Sequence, residues 1–272
     1  MIDRFAGLPS SLAKQTRLTT LAGVPALIAH PDWESPAPTM LWMHGRTSSK
    51  EIDPGRYSRW IRAGIAAVAL DLPGHGERLD RAMHQPDKTL YAVEQMIGEI
   101  DGVVEALGEP KWGGVFDMDR LGIGGMSAGG MVTLRRLCDE HPFKAAAIES
   151  AAADFSLMGF EQWYEAEIIE RLDPCRHIEG WTPIPLLALH SQIDEMVPVA
   201  AVESLFERLR AHYIALNADP EALLTLKTWP ETGAPSEHAG FGKVASEAKG
   251  MQVEFLEKWL MQQTTPGVSP GR

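Results

Sequence analysis

Ser127 lies in the stretch Gly124-Gly125-Met126-Ser127-Ala128-Gly129-Gly130, where four glycines and one alanine surround a single hydroxyl. A serine hydroxyl is a weak nucleophile. It attacks a carbonyl only when a base takes its proton and an acid orients that base. Small neighbours allow a strained turn that lifts Oγ clear of the backbone, because a larger side chain would strike an adjacent strand or helix. Residues 125–129 match G-x-S-x-G, a pattern common by chance as an incidental glycine-rich turn. Its position after the apolar run Leu121-Gly122-Ile123 and before a helical segment favours the catalytic reading. A phosphate-binding loop fits less well, since no G-x-x-x-x-G-K-[ST] occurs.

Chains with a serine at such an elbow run in the order serine, acid, histidine. His238, in the loop PSEHAGFG after the last apolar run, satisfies that order. His141, His177 and His190 precede or crowd the candidate acid, and His212 falls on a helical segment. The acid is expected in LLALHSQIDEMVP, where Asp194 sits in apolar surroundings and Glu195 reads as a solvent-facing charge. Asp154 in SAAADF is the runner-up. A second site feature should be a pair of backbone donors for a developing oxyanion. The N–H of Ala128 opens a helix, and Gly45 lets the Arg46 N–H approach closely. The His44 imidazole is expected to bond loop backbone beneath the site. A metal reading of His44, His75 and His84 lacks any ligand spacing.

These residues need a scaffold that delivers each to one edge. Residues 15–21 and 24–30 read as two strands around the turn Ala22-Gly23. Short, mostly apolar runs at 38–44 and 66–71 fit strands covered on both faces, and 121–126, 144–150, 185–190 and 223–229 read as further strands. Helices are expected at 56–63, 88–107, 128–139, 199–211 and 246–262. In the segment 88–107, Leu90, Val93, Ile97, Ile100, Val104 and Leu107 recur at spacings of three and four, with Gly108 at the end. Alternating strands and helices imply an α/β fold. Its central sheet is mostly parallel, with an antiparallel N-terminal hairpin and helices on both faces. One domain is expected over 1–263, followed by a Pro/Gly/Ser/Thr-rich tail, 264–272, expected to be disordered.

The 272 residues are 44% hydrophobic and 23% charged, ordinary for a globular chain. A net charge of −12 argues against nucleic acid as a partner, which would need a basic face. Two cysteines, Cys138 and Cys175, give no disulfide framework. The first residues lack an apolar signal-peptide core, and no apolar run is long enough to span a bilayer. A cytoplasmic protein with no membrane partner is the expectation; a homo-oligomer is compatible with the sequence, which does not set the oligomeric state.

The motifs WMHGRTSSKE, ALDLPGHGER, GGMSAGG, HSQIDEMVP and SEHAGF occur in the order seen in α/β-hydrolases. The chain resembles the dienelactone-hydrolase-like bacterial carboxylesterases over about residues 15–262. More distantly it is similar to the catalytic domain of prolyl-oligopeptidase-type peptidases. The resemblance implies Ser127 as nucleophile, Asp194 as acid, His238 as base, and Arg46 with Ala128 as oxyanion donors, with no metal and no cofactor. Dienelactone hydrolase itself uses cysteine, so Ser127 is a departure that puts dienelactone in doubt as substrate. The implied activity is cleavage of small carboxylic esters, with peptidase or thioesterase as alternatives of the same fold. A non-catalytic binding protein is the alternative from another class, because fold alone does not fix function.

Specificity should come from the segment between 150 and 185, too short for a full lid domain. Met158, Phe160, Trp163, Tyr164 and Trp181 are candidates for the wall of an acyl pocket, or for an amphipathic face packed on the sheet. The loop 75–87 is a second candidate wall. Arg46 and Arg78 could meet an anionic substrate, or simply make loop contacts.

Overall fold

The computed structural model describes residues 8–261. Eight strands form one sheet: β1 (Thr16–Leu21), β2 (Val24–Ala29), β3 (Ala37–Met43), β4 (Ala66–Leu70), β5 (Phe116–Met126), β6 (Phe143–Glu149), β7 (Leu186–Ser191) and β8 (Leu224–Trp229). Their order across the sheet is β1-β2-β4-β3-β5-β6-β7-β8. The hairpin β1–β2 is antiparallel and joins β4 antiparallel; every other pairing is parallel. The hairpin turn uses Ala22 and Gly23, both at positive φ (47° and 89°), the backbone twist that matches paired strands.

The helices are α1 (Ser10–Lys14), α2 (Pro54–Arg62), α3 (Thr89–Leu107), α4 (Ala128–Arg136), α5 (Ala166–Leu172), α6 (Val199–Ala215), α7 (Pro220–Leu223) and α8 (Ala245–Leu256). One apolar layer joins the sheet to α3, α4 and α6 through residues such as Val93, Ile100, Val132 and Phe206. The opposite layer packs α2 and α8 through Tyr57, Trp60, Phe255 and Leu256. Strands β3, β4 and β7 are buried along their whole length, in keeping with their largely apolar runs, with Thr39, His190 and Ser191 the polar residues among them. The edge strands β1 and β8 are only half-buried, and they carry the polar residues. After β3 the chain goes to β4 on one side; β5 then returns on the other. This reversal opens a crevice at the carboxyl ends of β3 and β5, where open α/β sheets bind ligands.

Several boundaries differ from the sequence expectation. β5 begins at Phe116 rather than 121, because its first half carries Asp117, Asp119 and Arg120 on a partly exposed stretch. Helix α1 was not anticipated, and α4 ends at Arg136 rather than 139. The last helix turns into a π-helical segment, Glu257–Met261, and Gln262 lies outside the described residues. So does the tail 264–272. Residues 150–185 form the expected short helical insertion, a chain of 3-10 turns around α5.

Candidate active site

Ser127 stands between β5 and α4 with φ 51° and ψ −115°, a left-handed backbone that a non-glycine residue adopts only under constraint. Its N–H donates to the Glu149 carbonyl of β6 at 2.8 Å, which fixes the turn to the sheet. The strain sits on the serine, and the glycines supply room. A Cβ on Gly125 would lie 2.4 Å from the Gly129 backbone, and one on Gly129 would lie 2.3 Å from the Met43 carbonyl oxygen. Helix α4 therefore presses directly on β3 and β5, and Oγ is driven out at the sheet's end.

The loops after β7 and β8 bring the other two groups to that hydroxyl. His238 Nε2 lies 2.9 Å from Ser127 Oγ, and His238 Nδ1 lies 2.8 Å from Asp194 Oδ2. Asp194 Oδ1 also accepts the N–H groups of Met196 (2.9 Å) and Val197 (2.8 Å), so the carboxylate is fixed as well as buried. Behind it, His190 is bonded to the Val197 carbonyl, and burial pushes its pKa down. Glu195 is exposed, and Asp154 is bonded to Ser156 and Ser204 beside Arg208. Of the candidate acids, only Asp194 meets the histidine.

The main-chain N–H groups of Arg46 and Ala128 have no acceptor among the described residues. Gly45 brings its loop so close that a Cβ there would lie 3.3 Å from Ser127 Cβ. His44 holds this loop from below: its Nδ1 bonds the Gly45 carbonyl at 2.7 Å, and its Nε2 accepts the Leu72 N–H at 3.1 Å. Burial pushes its pKa down to about 4, so it is a neutral structural tautomer. The rings of His75 and His84 stack at 4.4 Å. Among the described residues, the one group with metal-ligand spacing is Asp154, Asp173 and Cys175, and it includes none of these histidines. Arg78 is engaged by Glu99 and the Asp71 carbonyl, while the Arg46 guanidinium donates to the His84 carbonyl.

Ser127 and His238 border two cavities. The smaller, about 210 Å³, is walled by Met131, Ala152, Met158, Phe160, Trp163 and Tyr164. Four of the five pocket residues expected from sequence are therefore present. Trp181 is the exception: it is 1% exposed in the core, and its Nε1 donates to the Tyr213 hydroxyl at 3.0 Å. Its packing in the core cluster beside Tyr213 of α6 makes it core, not wall. Loop 75–87 contributes Pro86, whose carbonyl accepts from the Tyr164 hydroxyl. The larger cavity, about 590 Å³, opens toward α2 and α8. Its polar wall holds Asp53, Arg56, Glu149 and Lys249.

Sequence reasoning did not find that wall, nor Glu237. The Glu237 carboxylate accepts from Ser191 Oγ (2.7 Å), Thr232 N–H (2.7 Å), Thr232 Oγ1 (2.8 Å) and Gly233 N–H (2.6 Å). Ser236 and Glu237 both have positive φ (52° and 49°), so this clamp holds a strained turn immediately before His238. The available signal was an acidic residue beside the histidine in a loop flanked by Thr and Gly.

This sheet, with a serine elbow at its centre and the acid and histidine on later loops, defines an α/β-hydrolase, and the chain is a hydrolase of that serine class. Residues 59–263 match the prolyl oligopeptidase family, and the chain belongs to it. Esterase YjfP of Escherichia coli is 27% identical over 228 residues, covering 77% of this chain and 88% of that protein. The crystal structure of TT1662 from Thermus thermophilus superposes with a TM-score of 0.70 at 25% identity, over 91% of this chain and 98% of that one. A puromycin-hydrolyzing peptidase of Mycobacterium tuberculosis has the same TM-score at 19% identity, over 94% of this chain and 41% of that longer one. No helix among the described residues is long and apolar enough to cross a membrane.

Proposed function

We propose that the protein is a serine esterase that cleaves small carboxylic esters through an acyl-enzyme. Ser127 Oγ attacks the ester carbonyl while His238 Nε2 takes its proton. The carbonyl oxygen, now an oxyanion, receives the N–H groups of Arg46 and Ala128. The intermediate collapses, the C–O bond to the alcohol breaks, and His238 returns the proton to the departing oxygen. Water then repeats the sequence on the acyl-serine and releases the acid. Asp194 holds the Nδ1–H tautomer and stabilises the imidazolium that forms in each half. These side chains and N–H groups complete the reaction without a cofactor.

One observation carries this reading: an unbroken hydrogen-bonded relay, Ser127–His238–Asp194, beside two N–H groups with no acceptor among the described residues. Ser127→Ala should abolish turnover of p-nitrophenyl butyrate and labelling by a fluorophosphonate, with an unchanged circular dichroism spectrum. Turnover near that of the wild type in a folded Ser127→Ala protein would overturn the mechanism. The esterase name of YjfP, whose length the chain nearly spans, supports esters over amides.

The small cavity supports a short acyl group. Each methylene that fits should gain roughly 0.8 kcal/mol of burial, and one that does not fit gains nothing. For p-nitrophenyl esters, kcat/KM should rise from acetate to about butyrate and then fall. A steady climb through laurate would replace this closed pocket with an open groove. Trp163, 51% exposed at the rim, should set the limit, so Trp163→Ala should move the maximum to longer chains. Family membership keeps peptidase activity as the second reading. Aminoacyl p-nitroanilides and thioesters run beside matched esters separate the three, and the bond type with the highest kcat/KM names the enzyme.

A further inference from the structure

We infer that the larger cavity is the leaving-group subsite, shaped for an alcohol with an apolar, ring-sized body and an anionic end that meets Lys249. This inference rests on the esterase reading and adds the chemistry of the alcohol to it.

Direction comes from the proton. His238 must hand it to the departing oxygen, so the alcohol lies over the histidine's own loop. Residues 238–242 of that loop all line the larger cavity, whereas the smaller cavity takes only His238 from it. At about 590 Å³ the larger cavity has room for an aromatic or cycloalkyl alcohol. Trp42, Met126 and Phe241 give it an apolar lining on the α2–α8 side of the sheet.

The anionic end follows from counting donors and acceptors at the polar wall. The Arg56 guanidinium is committed: it donates to both oxygens of Glu149, to Asp53 Oδ2 and to Gln252 Oε1. Glu149 also accepts from Gln252 Nε2 at 2.7 Å. Asp53 caps α2 by accepting the Arg56 N–H, and it accepts from Lys249 Nζ at 2.7 Å. Two carboxylates thus meet two cations, and the wall is close to neutral. Of these four groups Lys249 is the one with donors to spare, because an ammonium has three and only one is used. Its side chain is 23% exposed at the cavity. An incoming ligand therefore meets spare donors and a positive head, and its matching group is a carboxylate or another anion.

The test uses two acetyl esters that differ in one charge, 4-acetoxybenzoate and its methyl ester, with kcat/KM measured for wild type, Lys249→Met and Lys249→Arg. The ratio anionic/neutral within each enzyme removes any general effect of the substitution. It should fall roughly threefold to tenfold from wild type to Lys249→Met, the range of a partly exposed ion pair, and stay near wild type in Lys249→Arg. Calorimetry of the product 4-hydroxybenzoate against its methyl ester supplies a readout that needs no turnover. Tighter binding of the acid by wild type, lost in Lys249→Met, supports the inference even if neither ester is cleaved, in which case the esterase reading falls alone. Ester cleavage with the same ratio in all three proteins overturns the inference and leaves the esterase reading standing.

Discussion

The carboxylate of Glu237 gathers four hydrogen bonds from Ser191, Thr232 and Gly233, and the next residue, His238, is the candidate base. The Ser191 hydroxyl and those N–H groups pull the Glu237 pKa down to about 2. A carboxyl whose folded pKa lies below its unfolded value stabilises the fold above the unfolded pKa. That contribution disappears as pH falls through the folded one. The Glu237 contribution is thus complete above pH 4.5 and fades toward pH 2. Glu237→Gln turns an NH₂ group toward donors, so it should unfold at lower denaturant at pH 7, with a smaller gap from wild type as the buffer is acidified toward pH 3. An equal gap at every pH would mean that charge is not what the clamp uses. At the next group in the relay, Asp194→Asn should keep the geometry but lower kcat by about 10⁴, because the wrong imidazole tautomer is then favoured. Asp154→Asn serves as the comparison: a large loss there with little at Asp194 would reverse the assignment of the acid.

The elbow between β5 and α4 depends on contact distances more than on any one bond. A methyl group on Gly129 would sit 2.3 Å from the Met43 oxygen, and backbone cannot yield as a side chain tip can. Gly129→Ala should destabilise by about 1–3 kcal/mol or more, with kcat reduced because Ser127 moves with the helix. Thermal melting and p-nitrophenyl butyrate turnover check both parts; a wild-type melting temperature would contradict the close packing. This element was legible in the sequence because its parts are adjacent: apolar strand, small residues, serine, helix. Strands β3, β4 and β7 were legible for a similar local reason, each being built on a short run dominated by apolar residues. The polar wall was not. Arg56 meets Gln252 across 196 positions and Glu149 across 93, and nothing local in any of those segments announces a partner. Trp181 and Trp163 show the same limit. Both are large rings in one insertion, yet one lies in the core and the other at the rim.

At the scale of the whole fold, five histidines among the described residues are held neutral by burial: His30, His44, His75, His141 and His190 all have lowered pKa values. Unfolding lets each take up a proton near its ordinary value of 6.5, so below that pH the unfolded chain binds more protons than the native one. Stability should therefore decline as pH drops from 6.5 toward 4. Denaturant midpoints measured between pH 7.5 and 4.5 check this, and a flat profile would contradict it. The sheet order has a separate consequence. β6 lies between the strand that leads to Ser127 and the strand that leads to Asp194, so the insertion leaves the sheet between nucleophile and acid. It roofs the small cavity without supplying any member of the relay or the oxyanion donors. A longer, shorter or differently lined segment could be spliced in at that position while β5, β7 and β8 keep their registers. On the proposed esterase reading, the wall that meets the acyl group thus lies in an exchangeable cassette, separate from the Ser127–His238–Asp194 relay.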